Sequence, residues 1–288
     1  MLRATEMMAR LGGRTLLDGA ALTLESGQVK GLVAPNGWGK TTLLRLLAGA
    51  HIRGCSGKLE IDGVSPGDER AFRREVFYAP GEGTLLYPDA SARFHLESAR
   101  RLWGSPYSVD DVARRCGIDD WLGRPVRKLS QGMRQQVTLA VAYMTHATYL
   151  LLDEPMNALD PTNVQRNSRL IRKVAEHGCA VTMSSHILDN VDRTCDSVLF
   201  LRDGLLMEAP GGGQGSLAMY EELYGGRGEV EPRRMHGETG EAEPRRMHGE
   251  TGEGPEGISG GRGGKLGRAR GQMSEESGRP HGKRFRRS

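Results

Sequence analysis

Lys40, Thr41, Asp153 and Glu154 are the residues whose types and spacing best suit phosphate chemistry. The first two close the stretch APNGWGKTT, Ala34–Thr42, which matches the spacing G-x-x-x-x-G-K-[ST] at every position but the first. A strand-to-helix turn of this kind aims backbone amides and the positive end of a helix dipole at an anion. Gly37 and Gly39 allow the backbone to come close, Lys40 can reach β- and γ-phosphates, and the Thr41 hydroxyl can ligate Mg²⁺. Pro35, Asn36, Trp38 and Thr42 complete the expected contact set, largely through their backbone. Alanine at position 34 adds one methyl group and fits wherever its φ is negative.

The second constellation is YLLLDEP, Tyr149–Pro155. A buried strand that ends in two acids sets both carboxylates at the carboxyl edge of a parallel sheet, where ligands bind in such folds. Asp153 is expected to hold Mg²⁺, mostly through water, and Glu154 to polarise the water that attacks a γ-phosphate. Two acids after a strand also suit a plain solvated loop. The preceding phosphate loop favours the chemical reading.

These residues need a scaffold. LRATEMMARL and AALTLESG read as N-terminal strands, and QVKGLVA, KLEIDG, VFYAP, TYLLLDEP, CAVTMSS and SVLFLRDG as further short strands. Helices are expected from about Thr41 to Ala48, from Gln131 to Ala147, from Pro161 to His177, and briefly after His186. Strands alternating with helices imply an α/β fold with a mostly parallel sheet covered on both faces. Residues 83–133 interrupt it with helical spacing alone, as in DASARFHLESARRLWG and SVDDVARRCGI, and are expected to form an inserted helical subdomain.

From Gly225 onward the character changes. Gly, Arg and Glu dominate, almost no apolar side chains remain, and EPRRMHGETGEA is repeated at once as EPRRMHGETGEG. Such a segment buries too little apolar surface to offset its ordering entropy and reads as a disordered tail. Two copies of a 12-residue polar unit are too few and too short for a solenoid. The net charge of +4 belongs to this tail: residues 225–288 hold 14 Arg and Lys against 10 acids, leaving 26 of each sign in residues 1–224. A basic nucleic-acid surface is therefore not implied for the folded part. Residues 262–288 alone hold nine basic side chains and two acids, which suits contact with an anionic membrane surface.

The four cysteines show no C-x-x-C pair, which fits a reducing compartment rather than a disulfide framework or a metal site. The start, MLRATEMMARLGGR, lacks the apolar core of a secretion signal. No run approaches the length of a membrane-spanning helix. Any membrane task would need a second chain to do the spanning.

The order APNGWGKTT, KLSQGM, LLLDEP, NALD and SSH resembles the nucleotide-binding domain of ATP-binding-cassette (ABC) proteins, most closely the single-cassette ATPase subunits of bacterial transporters of multidrug or ABC-2 type. The likeness covers about residues 1–224. It implies a P-loop, RecA-like sheet core with an N-terminal antiparallel part, ATP and Mg²⁺ as ligands, and a membrane-spanning partner subunit. It further implies pairing of two cassettes, as a homodimer or otherwise, with Ser130 and Gly132 facing the γ-phosphate bound to the other copy. Asp160 would meet that copy across the interface, and His186 would contact the γ-phosphate. The implied location is the cytoplasmic face of the cell membrane.

Three positions depart from the family pattern. Leu11 stands where an aromatic residue stacks on adenine, which removes a term of about 1 kcal/mol. YAPGEG puts Gly81 in place of a glutamine, with Glu82 next. Trp38 replaces a small residue and is expected to pack outside the cradle. Within the signature segment, Gln131 and Met133 replace a glycine and a glutamine. A soluble ABC-type ATPase working on ribosomes or nucleic acid is the main alternative, resting on the Arg/Gly-rich tail with its single aromatic, Phe285. A regulatory subunit that binds ATP without turnover is another.

Overall fold

The computed structural model of the chain describes residues 1–81, 84–211 and 214–225. The expectations for the duplicated segment, for the tail from residue 226 and for Glu82 lie outside the described residues.

Strands β1 (Leu2–Leu11), β2 (Arg14–Leu24) and β4 (Cys55–Ile61) form an antiparallel sheet in the order β2-β1-β4. A second sheet contains β3 (Val29–Val33), β5 (Val76–Ala79), β6 (Tyr149–Leu152), β7 (Ala180–Ser185), β8 (Ser197–Arg202) and β9 (Leu205–Pro210). Its order is β5-β6-β7-β3-β8-β9, parallel throughout except for the edge pair β8–β9. The helices are α1 (Lys40–Leu47), α2 (Glu69–Glu75), α3 (Ala92–Trp103), α4 (Val109–Cys116), α5 (Gln131–Thr145), α6 (Pro161–Glu176), α7 (Leu188–Asp192) and α8 (Gln214–Tyr224). The expected α/β architecture, with its mostly parallel sheet and antiparallel N-terminal part, is what the chain adopts.

The apolar runs of the central strands have a simple cause. Alternate residues of β3 and β6 enter opposite cores, so both faces need apolar side chains. Leu32 and Leu151 join Leu43, Leu44 and Leu47 of α1 and the small sheet's Leu2 and Leu17. Val33, Leu150 and Leu152 join the other cluster, which runs without a break into Leu96 of α3, Val112 of α4 and Val137 of α5. The helical stretch thus shares a core with the sheet. At the carboxyl end of β6 this packing stops, and Asp153 and Glu154 follow on the next two positions.

The structure also corrects the element map. β2 starts at Arg14, well before the expected AALTLESG, and carries Gly19 at φ 85° within it. Asp18-Gly19 reads locally as a turn, but pairing with β1 carries the strand through it, with register shifts along the ladder. Helix α2, strand β9 and helix α8 were not anticipated. β9 follows the turn at Asp203-Gly204, a D-G pair that closes a hairpin with β8.

Candidate functional site

The phosphate loop joins β3 to α1. Gly39 occupies the N-cap of α1 at φ 103° and Gly37 lies at φ 79°, a left-handed region that favours glycine. No side chain caps α1 and no acid stands in its first turn, so its leading amides are left for an anion. Ala34 is buried and is not among the six described non-glycine residues with positive φ. Its methyl group therefore meets the condition set by the sequence. Pro35 is half-buried, Asn36 and Gly37 are exposed, and Thr42 is half-buried.

The Lys40 side chain folds back over the loop. Its Nζ donates to the Ala34 carbonyl at 2.7 Å and lies 3.6 Å from Glu154 Oε1, with only 7% of the residue exposed. Burial lowers its pKa, against the opposing pull of the Glu154 and Asp153 carboxylates.

Asp153 is held from one helix and two strands. Thr41 Oγ1 donates to its Oδ2 at 2.7 Å, Tyr78 OH to the same oxygen at 3.0 Å, and Ser184 Oγ to Oδ1 at 2.7 Å. Register explains the last two. Leu152 pairs with Met183, so Ser184 lies beside the residue that follows it, while Tyr78 pairs with Leu151, two positions before Asp153 along β6. Burial first, and the nearby Asp153 charge second, raise the Tyr78 pKa, which keeps its phenol a donor. Neither Tyr78 nor Ser184 stood out as a carboxylate partner in the sequence. The usable signal was strand alignment, since Tyr78 is the one polar position in β5 and Ser184 follows the same strand-end pattern in β7.

Glu154 adopts φ 46°, a conformation that costs a non-glycine residue about 1–2 kcal/mol. Its amide donates to Ser184 Oγ at 2.8 Å, and its Oε2 lies 3.0 Å from His186 Nδ1. The structure thereby joins Lys40, Thr41, Asp153, Glu154 and His186 in one contact network. Residues from three separate segments meet there.

Ser130, Gly132 and Asp160 stand apart: among the described residues no hydrogen bond or ion pair links them to this network. The Ser130 hydroxyl caps α5 by accepting from the Met133 amide at 3.2 Å. Asp160 caps α6, accepting from the Asn163 amide at 3.0 Å. Gln135, also unnoticed in the sequence, connects the two regions, donating from Nε2 to the Pro155 carbonyl at 3.3 Å. Gly81, at the glutamine-replacing position, leaves little room: a β-carbon there would stand 3.1 Å from the Asp153 carbonyl oxygen. Trp38 packs outside the cradle, edge-on to Tyr224 of α8 with ring centres 5.7 Å apart. Leu11 ends β1, half-buried.

A Mg²⁺-bound nucleoside triphosphate fits this donor set. The uncapped amides and Lys40 suit phosphate oxygens. The paired Thr41 hydroxyl and Asp153 carboxylate are hard oxygen donors side by side, of the kind that would hold Mg²⁺.

The family model for ABC transporters matches residues 17–157. The tungstate uptake system ATP-binding protein TupC of Peptoclostridium acidaminophilum is 32% identical over 206 residues, which span 69% of this chain and 94% of that protein. The chain belongs to the ABC transporter family. Two other relatives in it are NatA, an ABC transporter ATP-binding protein of Bacillus subtilis (strain 168), and the lantibiotic transport ATP-binding protein SrtF of Streptococcus pyogenes. NatA is 32% identical over 64% of this chain and 77% of its own length. SrtF is 29% identical over 81% of this chain and all of its own. Membership makes this chain a cassette-type ATPase, the motor component of such a transporter. Solved structures agree on the fold. An ATP-binding subunit of an ABC transporter superposes with TM-score 0.67 at 23% identity, covering 80% of this chain and 95% of that one. A dimeric post-hydrolysis cassette bound to ADP and Pi gives 0.65 at 19% identity over 74% of this chain and 100% of that one. No helix among the described residues is long and apolar enough to cross a membrane.

Proposed function

We propose that residues 1–224 bind and hydrolyse ATP as a pair of cassettes and drive a separate membrane-spanning subunit, working from the cytoplasmic face of the membrane. The loop Ala34–Thr42 holds the phosphates, with Lys40 on the β- and γ-groups. Thr41 and Asp153 hold Mg²⁺, whose chemistry there is to draw charge from the phosphate oxygens. Glu154 takes the proton of the attacking water, and His186 orients Glu154 and meets the γ-phosphate. Ser130, Gly132 and Asp160 serve the nucleotide on the other copy. The lack of any hydrogen bond or ion pair from them to the in-chain network among the described residues supports that reading, because it leaves the anion-facing turn of α5 free for a partner's ligand. Residues 83–133, tied to the acid loop through α5, carry the closing motion to the membrane subunit.

The observation that carries the proposal is the position of Glu154, 3.6 Å from Lys40 Nζ on one oxygen and 3.0 Å from His186 Nδ1 on the other. A strained carboxylate held between a phosphate-binding lysine and a histidine is suited to general-base work. The names of relatives such as SrtF and the bacitracin transport protein BcrA of Bacillus licheniformis point to lantibiotic- or bacitracin-like antibiotics as one class of cargo. TupC points instead to an oxyanion.

Light scattering on purified Glu154→Gln, with and without Mg-ATP, tests the scheme. A dimer that appears only with Mg-ATP, together with ATP turnover at least about a hundredfold below the parent protein, is the expected result. A variant that binds ATP yet stays monomeric, or that turns over at the parent rate, overturns it.

A further inference from the structure

A cavity of about 550 Å³ opens on the far side of the fold, between α4, the carboxyl end of α5 and the carboxyl half of α6. None of the residues assigned to ATP lines it. Its volume lies within the range of small-molecule sites. The floor is aliphatic, built from Val112, Leu150, Leu170 and Val174.

The polar groups around that floor are unevenly charged. Arg115 of α4 and Lys173 of α6 stand in the wall, both exposed, and neither side chain has a hydrogen-bond or ion-pair partner among the described residues. Asp111 is the one acid among the lining residues, and it is bridged by Arg114. Deeper in the wall, Tyr143 is 7% exposed and its hydroxyl has no hydrogen-bond partner. A buried polar group in that state normally has a water, ion or ligand to satisfy it. At the mouth, Tyr107 is 39% exposed and packs edge-on against His146, with ring centres 5.1 Å apart. Cys116 and Cys179 also line the cavity, and burial pushes each thiol up to about 12, so at neutral pH they are neutral, weakly polar wall.

We infer that this cavity is a binding site for a small apolar carboxylate, its hydrocarbon part on the aliphatic floor and its anionic end between Arg115 and Lys173. The chemistry requires both halves. A purely apolar molecule would leave the two cations unused, and an inorganic anion would leave the floor uncovered. The walls come from α4 and α5 on one side and from α6 and β6 on the other. A molecule bound here would therefore hold the helical stretch against the sheet core. The inference does not depend on the roles proposed for the ATP site.

Isothermal titration calorimetry of the full-length chain with sodium decanoate, kept below its micelle concentration, tests this. One saturable site is expected, unaffected by Mg-ATP. The double variant Arg115→Glu/Lys173→Glu should weaken it by about tenfold or more, since two attractions become repulsions. Both side chains are exposed, so their replacement leaves the core packing alone. Parent and variant carry the same basic tail, so adventitious binding there cancels in the comparison. Decylammonium, with the same chain and the opposite head, should not compete, a comparison that needs no variant. The inference is overturned by absence of saturable binding, by equal competition from decylammonium, by unchanged affinity in the double variant, or by displacement with Mg-ATP.

Discussion

The carbonyl oxygen of Ala158 lies 2.5 Å from the point where a β-carbon on Gly132 would stand. Glycine at the second position of α5 is therefore required by contact within the chain, whatever it meets in a partner. Ala158 itself takes φ 60°, and one turn further along α5 Gln135 donates to the Pro155 carbonyl. The start of α5 and the loop after the two acids are thereby tied into one unit. A change at the acid loop is transmitted directly to the segment expected to face the second nucleotide.

Gly132→Ala should consequently destabilise the isolated chain. Overpacking of this kind costs about 1–3 kcal/mol, and alanine in a helix returns at most about 1 kcal/mol. Urea denaturation of the parent and the variant measures the difference. Unchanged stability with lost ATPase activity would move the importance of Gly132 entirely to the interface between copies.

Tyr78→Phe removes one of three side-chain donors to Asp153 without altering shape. Losing a hydrogen bond to a carboxylate should cost about 1–2 kcal/mol of stability. Because Thr41 shares the same carboxylate oxygen, the site proposed for Mg²⁺ should loosen as well. ATPase activity should fall more at limiting than at saturating Mg²⁺, as a Mg²⁺ titration of initial rates would record. Equal losses at both concentrations would rule out a positioning role toward the metal.

The sequence carried the grouping of the proposed site residues further than the contacts that position them. Lys40, Thr41, Asp153, Glu154 and His186 were legible because each motif sits at the end of a short apolar strand, and strand ends of a parallel sheet converge. Tyr78, Ser184 and Gln135 were not. Their importance depends on which strands lie side by side and in what register, and on where one helix face meets a loop, none of which local patterning records. The hairpin strand β9 and helix α8 escaped for a related reason. Their residues are mixed in polarity, and their place is set by contact with β8 and with Trp38 rather than by their own periodicity.

Trp38 and Tyr224 should be energetically coupled. Tyr224 OH also donates to the Leu201 carbonyl at 2.9 Å, so α8 is pinned to the sheet beside the phosphate loop. An edge-on aromatic pair contributes about 0.5–1.5 kcal/mol beyond its buried area. A double-mutant cycle with Trp38→Leu and Tyr224→Leu, followed by urea unfolding, should return a coupling in that range. Additivity within about 0.3 kcal/mol would mean that the rings merely lie near one another.

Asp160 gives the chain an acid-sensitive helix cap. The Asn163 backbone amide first, and its side-chain amide second, hold the Asp160 carboxyl below its ordinary value of 3.8. A carboxylate whose folded pKa is depressed contributes stability above its unfolded pKa and loses it as pH falls through the folded value. The stability gap between the parent and Asp160→Ala should thus be widest near neutrality and narrow as pH drops below 3.8. Asp160→Asn keeps a good capping side chain with no proton to gain. Its gap to the parent should be small near neutrality, and its own acid response should lack this component. Urea midpoints for the three proteins across that pH range test the cap. ATPase rates at neutral pH then isolate the second role: a variant with the asparagine cap intact but turnover lost would mean that the charge of Asp160 acts on the partner cassette rather than on α6.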